Sequence, residues 1–188
     1  MRNPVKKLVN PLEMLASDHE TVKFLFQQCE PTDPGMKRRL LSEEIFKNLH
    51  VHATLEEEIF YRALQENLSY EDSAVVREAL REHGQIKELI RQLEAMEAQG
   101  EAFTSRLMTL KERVLAHADK EEKHIFPLAE RHLPLAAVAL AMDKRRLQLL
   151  VQNPAPSALG ILALGLVGVG LVMFMFRGRG RRFTRVSD

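Results

Sequence analysis

The sequence predicts an all-α protein, an up-down-up-down four-helix bundle followed by a C-terminal transmembrane helix. Three observations carry this reading. Apolar residues recur at spacings of three and four along four long stretches, the signature of helices with one buried face. Short breaks rich in proline, glycine and asparagine separate those stretches, and short connections between long helices make neighbours antiparallel. After Pro156, residues 157–176 contain no charged side chain. About 20 apolar residues suffice to cross a bilayer.

The first helix is expected from about Asn10 to Glu30, with Leu15, His19, Val22, Phe26 and Cys29 on one stripe. Pro31-Thr32-Asp33-Pro34-Gly35 ends it. The second is expected from about Met36 to Asn67, with Leu41, Ile45, Leu49, His52, Glu56, Ile59 and Ala63 inward. The third begins near Tyr70 or Glu71 and turns Val76, Ala79 or Leu80, His83, Ile86, Ile90 and Leu93 inward. Gln99-Gly100 should close it, with glycine as the C-terminal cap. The fourth starts about Glu101 and carries Phe103, Leu107, Leu110, Val114, His117, Glu121, Ile125 and Leu128 inward, with Pro127 bending or loosening its last turns.

Residues 10–132 are therefore read as the bundle and 133–156 as a connector. Within that connector, residues 135–142 either extend the last helix or form a separate piece. Asn153-Pro154-Ala155-Pro156 breaks it. Residues 157–176 are read as the membrane span and 177–188 as a basic tail. The net charge of +1 hides an asymmetry: the tail after Phe176 holds five arginines and one aspartate, leaving residues 1–176 mildly acidic. That balance gives no reason to invoke nucleic acid. The single cysteine, Cys29, excludes an internal disulfide and reads as a small buried hydrophobe. No secretory leader is recognised at the N-terminus, so a tail anchor with a cytoplasmic bundle is expected, even though the arginines alone would favour a cytoplasmic tail.

The inward faces carry one histidine on each helix: His19, His52, His83 and His117. Counting 1.5 Å per residue from the turns puts all four within about one and a half helical turns of a common depth. Two are followed by a glutamate four residues on, Glu56 and Glu121, which shares the same helix face. A carboxylate on a stripe of leucine, isoleucine and valine needs a cation to offset its desolvation. Two metal ions bridged by the two carboxylates, with two histidines terminal on each, meet that need and leave open coordination positions for O₂, peroxide, hydroxide or water. The expected ligands are His19, His52, Glu56, His83, His117 and Glu121. His and Glu also bind manganese and zinc. His124 is read as an outer or surface histidine, and His50 and His132 are left outside the set. Glu57, Glu58 and Glu122 are read as solvated neighbours, and Phe26, Phe60 and Phe126 as core, some of them walling the metal pocket.

Asp18-His19, residues 52–60 beginning His52-Ala53-Thr54-Leu55-Glu56, Glu82-His83 with Ile86, and residues 117–127 ending His124-Ile125-Phe126-Pro127 together resemble the hemerythrin-like, or HHE cation-binding, domains. The resemblance covers residues 10–132 and involves all four helices in the family's order. It implies a four-helix bundle holding a non-heme diiron centre that binds O₂ or senses oxygen, iron or redox state. Two features depart from the oxygen-carrying members. Their fifth histidine, one turn after the third-helix ligand, is replaced by Lys87, which is expected to point away from the metals. Their fourth-helix aspartate, five residues after the histidine, gives way to Glu121 at four, with Glu122 at five. Both changes favour a sensor, a redox-active protein or a peroxide-handling protein over a reversible carrier. The expected function is a membrane-anchored diiron protein that binds or senses O₂ or a related oxidant. The alternatives are a diiron oxidase, peroxidase or nitric oxide reductase, or an iron store.

Overall fold

The computed structural model describes residues 10–152. The expected span at 157–176 and the basic tail lie outside these residues. Asn10 caps the first helix, α1 (Pro11–Cys29), by accepting the Leu12 N–H on its side chain at 3.0 Å, and Pro11 occupies a first-turn position where no N–H is needed. Gly35, with φ +130°, leads into α2 (Met36–Leu55). A single π-helical turn (Glu56–Phe60) joins α2 to α3 (Tyr61–Asn67). The next rod is α4 (Ala74–Glu94). After it come α5 (Gly100–Lys120), a second π-helical turn (Glu121–Ile125) and α6 (Phe126–His132). A further helix, α7 (Leu135–Gln152), turns away from the fourth rod by 115°. There is no strand among the described residues.

Two apolar clusters show the chain direction. One gathers Leu12 and Leu15 from the start of α1, Leu64 from α3, Val76 and Ala79 from the start of α4, and Ala129 from α6. The other gathers Phe26 and Cys29 from the end of α1, Ile45 and Leu49 from α2, Ile90 and Leu93 from the end of α4, and Phe103 and Leu107 from α5. Ends and beginnings alternate, so successive rods run antiparallel in a four-helix bundle.

The expected stripes hold on α1 and α4, where Leu15, His19, Val22, Phe26 and Cys29, and Val76, Ala79, His83, Ile86, Ile90 and Leu93, are all buried. They slip by one residue in the second and fourth rods. Ile59 and Ala63 are half-buried, and Phe60, Tyr61 and Leu64 take the interior; Leu128 is half-buried, and Phe126 and Ala129 take its place. The cause is the π-helical turn in each rod. The Tyr61 N–H reaches back five residues to the Glu56 carbonyl, and the Phe126 N–H does the same to Glu121. One extra residue per turn rotates everything beyond it, and two consecutive side chains face inward. Pro127 lacks an N–H and crowds the turn before it, which suits the second π turn. The first forms with Arg62 at the matching place, so proline is not required.

Two boundaries also differ from expectation. The third rod starts at Ala74, because Ser69 to Ser73 form a turn in which the Asp72 N–H bonds the Ser69 hydroxyl at 3.0 Å. It ends at Glu94, and Gly100, with φ +79°, opens α5 instead of capping α4. The connector contains the separate helix α7, which buries Val138, Ala139, Met142 and Leu149 against the bundle. Arg145 forks onto Glu58 at 2.6 and 2.9 Å, and Arg146 onto Asp18 at 2.9 and 2.5 Å. Among the described residues no single helix is long and apolar enough to cross a membrane.

If α7 is an integral layer, Met142→Ala should destabilise the fold by about 2–5 kcal/mol, the cost of truncating a buried methionine. The exposed Leu147 supplies the comparison: Leu147→Ala should stay within about 0.5 kcal/mol. Urea unfolding followed by circular dichroism measures both.

Candidate metal centre

The two apolar clusters meet around a polar layer. His19 comes from α1, His52 from α2, His83 from α4 and His117 from α5. Glu56 and Glu121 are each the first residue of a π turn, and both are 0 % exposed. The structure thus brings all six expected residues together. Their donor atoms form two groups, each within 4.8 Å: His19, His52, Glu56 and Glu121 in one, and Glu56, His83 and His117 in the other. Glu56 belongs to both.

The imidazoles point their Nε2 atoms inward. Nε2 of His19 lies 3.2 Å from Nε2 of His52 and 3.2 Å from Glu121 Oε2. Nε2 of His83 lies 2.9 Å from Nε2 of His117 and 3.3 Å from Glu56 Oε2. His52 Nε2 is 3.1 Å from Glu56 Oε2, and His117 Nε2 is 3.5 Å from Glu121 Oε2.

The outward nitrogens explain the inward ones. Each Nδ1 faces a carboxylate: His19 to Glu122 at 2.8 Å, His52 to Asp18 at 3.4 Å, His83 to Glu57 at 2.8 Å and His117 to Glu82 at 2.9 Å. A carboxylate only accepts, so Nδ1 carries the proton and Nε2 keeps its lone pair. The carboxylates are held in turn by Arg146 on Asp18, Lys87 on Glu57 at 2.6 Å, and Lys120 on Glu82. Burial pushes Asp18, Glu57 and Glu82 upward, but the imidazole and the cation beside each together draw it below the usual carboxylate range, with His52 ahead of Arg146 at Asp18.

The arrangement fits a pair of cations. Converging lone pairs repel unless a proton or a cation lies between them. Donors about 2.0–2.2 Å from one ion and at right angles stand about 3 Å apart, the spacing found here. Both oxygens of Glu56 and Oε2 of Glu121 are buried with no hydrogen-bond partner among the described residues. Burial, and next the charge of Glu121, push the Glu56 carboxyl well above its ordinary range. Glu121 goes the other way; burial opposes its charge, but His19 and the neighbouring imidazoles overcome that. Burial also lowers the His83 imidazole to about 4, keeping it neutral as a ligand must be. Such orphaned oxygens are expected where a metal is the missing partner.

Against this geometry the comparisons decide the family. The family profile described as the hemerythrin HHE cation-binding domain matches residues 10–129. The chain belongs to this family. A hemerythrin-like relative in Schizosaccharomyces pombe, itself uncharacterised, is 24 % identical over 127 residues, which is 68 % of this chain and 63 % of that protein. A DNA nickase of Nostoc sp. strain PCC 7120 is 26 % identical over 128 residues, 68 % of this chain but 36 % of that protein. The chain thus spans less than two thirds of the length of either curated relative. The crystal structure of a hemerythrin HHE cation-binding domain-containing protein from Mycobacterium kansasii matches with a TM-score of 0.63 at 22 % identity, over 80 % of this chain and 97 % of that one, and so shares its fold.

Several hemerythrin-site residues escape a reading by helix face alone. Glu57 and Glu122, expected as solvated neighbours, orient His83 and His19. Asp18 and Glu82 orient His52 and His117. The readable signal was an acid adjoining four of the six inward residues, His19, Glu56, His83 and Glu121: one step along a helix turns a side chain about 100°, toward the next helix and its histidine. Lys87 keeps its ammonium off the inward donors, as expected, but supports Glu57 instead of pointing idly away. His124 and His132 are exposed, and His50 is half-exposed beside Glu94. Phe126 lies nearly parallel to the His19 ring at 6.1 Å, with Phe60 edge-on to it, so these two wall the site while Phe26 lies in the far cluster.

Asp18→Ala and Glu57→Ala should each lower metal affinity by about 10- to 100-fold, the range for an outer partner of a ligating histidine. Glu58→Ala, which breaks a comparable ion pair that touches no histidine, should leave affinity unchanged. Competition against a chromogenic chelator measures all three.

Proposed function

We propose that this chain is a membrane-anchored hemerythrin-like protein whose non-heme diiron centre binds or senses O₂ or a related small oxidant. The reading rests above all on the unpartnered buried oxygens of Glu56 and Glu121 within a ring of four inward imidazole nitrogens. His19 and His52 would hold one ion and His83 and His117 the other, with Glu56 common to both. Iron bound there would supply Lewis acidity and a reversible change of oxidation state.

The surroundings favour a small ligand. A cavity of about 20 Å³ adjoins the imidazoles on the side away from Tyr61, walled by Val22, Leu49, Ile86, Ile90 and Val114. That is room for something the size of a water molecule, which favours a small ligand over an organic substrate. The apolar walls limit water near the donors and leave the four outer carboxylates to keep each Nδ1 protonated. Lys87, in place of the fifth histidine of the oxygen carriers, leaves the His83 position with fewer protein donors, which supports sensing or turnover over reversible carriage. So small a cavity gives no support to storage of further iron. The acidic balance of residues 1–176 gives no support to extending the relative's DNA nicking to this chain. The anchor at residues 157–176 rests on composition, and with it the cytoplasmic placement of the bundle.

Anaerobic purification should yield about two irons per chain, and admission of air should produce oxo-diiron charge-transfer absorption that the paired change His52→Ala with Glu56→Ala abolishes. Chains lacking iron, or a spectrum indifferent to air, would overturn the reading. Sustained consumption of O₂, peroxide or nitric oxide with a reductant would assign an enzyme in place of a sensor. In sealed inverted vesicles, added protease should digest the bundle; protection there would reverse the orientation.

A further inference from the structure

The two halves of the bundle correspond position by position. Asp18-His19 on α1 matches Glu82-His83 on α4, and His52, Glu56 and Glu57 match His117, Glu121 and Glu122. The π turns begin at the same place in both, and the two inward residues behind them match as well: Phe60 with Ile125, and Tyr61 with Phe126. Each of the last pair packs against the histidine of a neighbouring rod, Phe126 on His19 at 6.1 Å and Tyr61 on His83 at 5.4 Å.

At this last pair the chemistry differs: one ring carries a hydroxyl and the other does not. Tyr61 is 0 % exposed, and its hydroxyl donates to Oε1 of Glu121 and lies 3.5 Å from Nε2 of His117. The consequence is visible in the carboxylates. Glu56, opposite a phenylalanine, leaves both oxygens without a partner, but Glu121 leaves only Oε2. The donor groups differ accordingly, with four residues around His19 and His52 and three around His83 and His117, the group that lacks Glu121.

We infer that Tyr61 is a positioning residue whose hydroxyl reserves Oε1 of Glu121 and so makes the two metal positions unequal. Glu56 serves both positions; Glu121, held by Tyr61, serves the His19/His52 position. The His83/His117 position is left with fewer protein donors and is where an exchangeable small ligand enters. The inference rests on the two-metal reading above and adds which position is open and which residue opens it.

Tyr61→Phe removes one oxygen and makes the first half resemble the second. The test is anaerobic calorimetric titration of the full chain in detergent with ferrous iron, with ferrous Mössbauer spectra of the loaded protein. The wild-type chain should bind two ions in steps about 10- to 100-fold apart, the scale on which outer hydrogen bonds act, and show two distinct doublets. In Tyr61→Phe the two steps should converge and the doublets approach one another. The combined change Tyr61→Phe with Phe126→Tyr should restore the inequality by moving the hydroxyl to the Glu56 side, so it also serves if the single variant does not fold. Two equal steps in the wild type, an unchanged separation in Tyr61→Phe, or no restored separation in the combined variant would overturn the inference while leaving a dimetal centre intact. A wild-type chain that takes up fewer than two ions would overturn the functional reading itself.

Discussion

Two buried carboxylates, with three of their four oxygens lacking a hydrogen-bond partner among the described residues, lie between four inward nitrogen lone pairs and set the terms for the rest of this molecule. Leaving such a charge uncompensated costs several kcal/mol, more than any single contact in a domain of this size returns. The polar layer divides the apolar interior into two clusters, so the bundle is packed above and below its site and not through it. Around each histidine a second carboxylate sets the tautomer, and Arg146, Lys87 and Lys120 neutralise three of those carboxylates in turn. Charge alternates outward from the centre, and this lets so many carboxylates gather in one layer.

The backbone is adapted to the same centre. An α-helix could place His52 and Glu56, or His117 and Glu121, on one face without any irregularity. The π turns act just beyond, where they bring Phe60 with Tyr61, and Ile125 with Phe126, under the glutamates as consecutive inward pairs. This closes one side of the site with bulk that a regular helix would have turned toward solvent. The opposite side keeps a small apolar cavity. One face of the centre is therefore filled by side chains and the other is not. The fifth helix adds a further link, because Arg146 of α7 grips the same Asp18 that orients His52.

The correspondence of the two halves makes their differences informative. Both halves present the same residue type at the histidines and glutamates, so matching donors face the centre from each. Where they part, at Tyr61 and Phe126, a single hydroxyl distinguishes one carboxylate from the other.

Helical periodicity alone was enough to read the four rods, their antiparallel order and the six inward histidines and glutamates, because 3.6-residue spacing, turn chemistry and the cost of a buried charge are all local properties of the chain. The stripe on α1 was legible to the residue, and that on α4 too except for the choice between Ala79 and Leu80, which the packing settles for Ala79. The stripes beyond Glu56 and Glu121 slipped by one, since a π turn is selected by what packs beneath it and leaves no reliable local mark. The roles of Asp18, Glu57, Glu82 and Glu122 were hidden for a related reason: each acts on a histidine of another helix, so its partner lies far away in sequence. Tyr61 drew no reading from the sequence; only the fold carries its hydroxyl to Glu121, 60 positions along the chain. Composition told which groups needed partners; only the packing of separate rods decided which partner each one received.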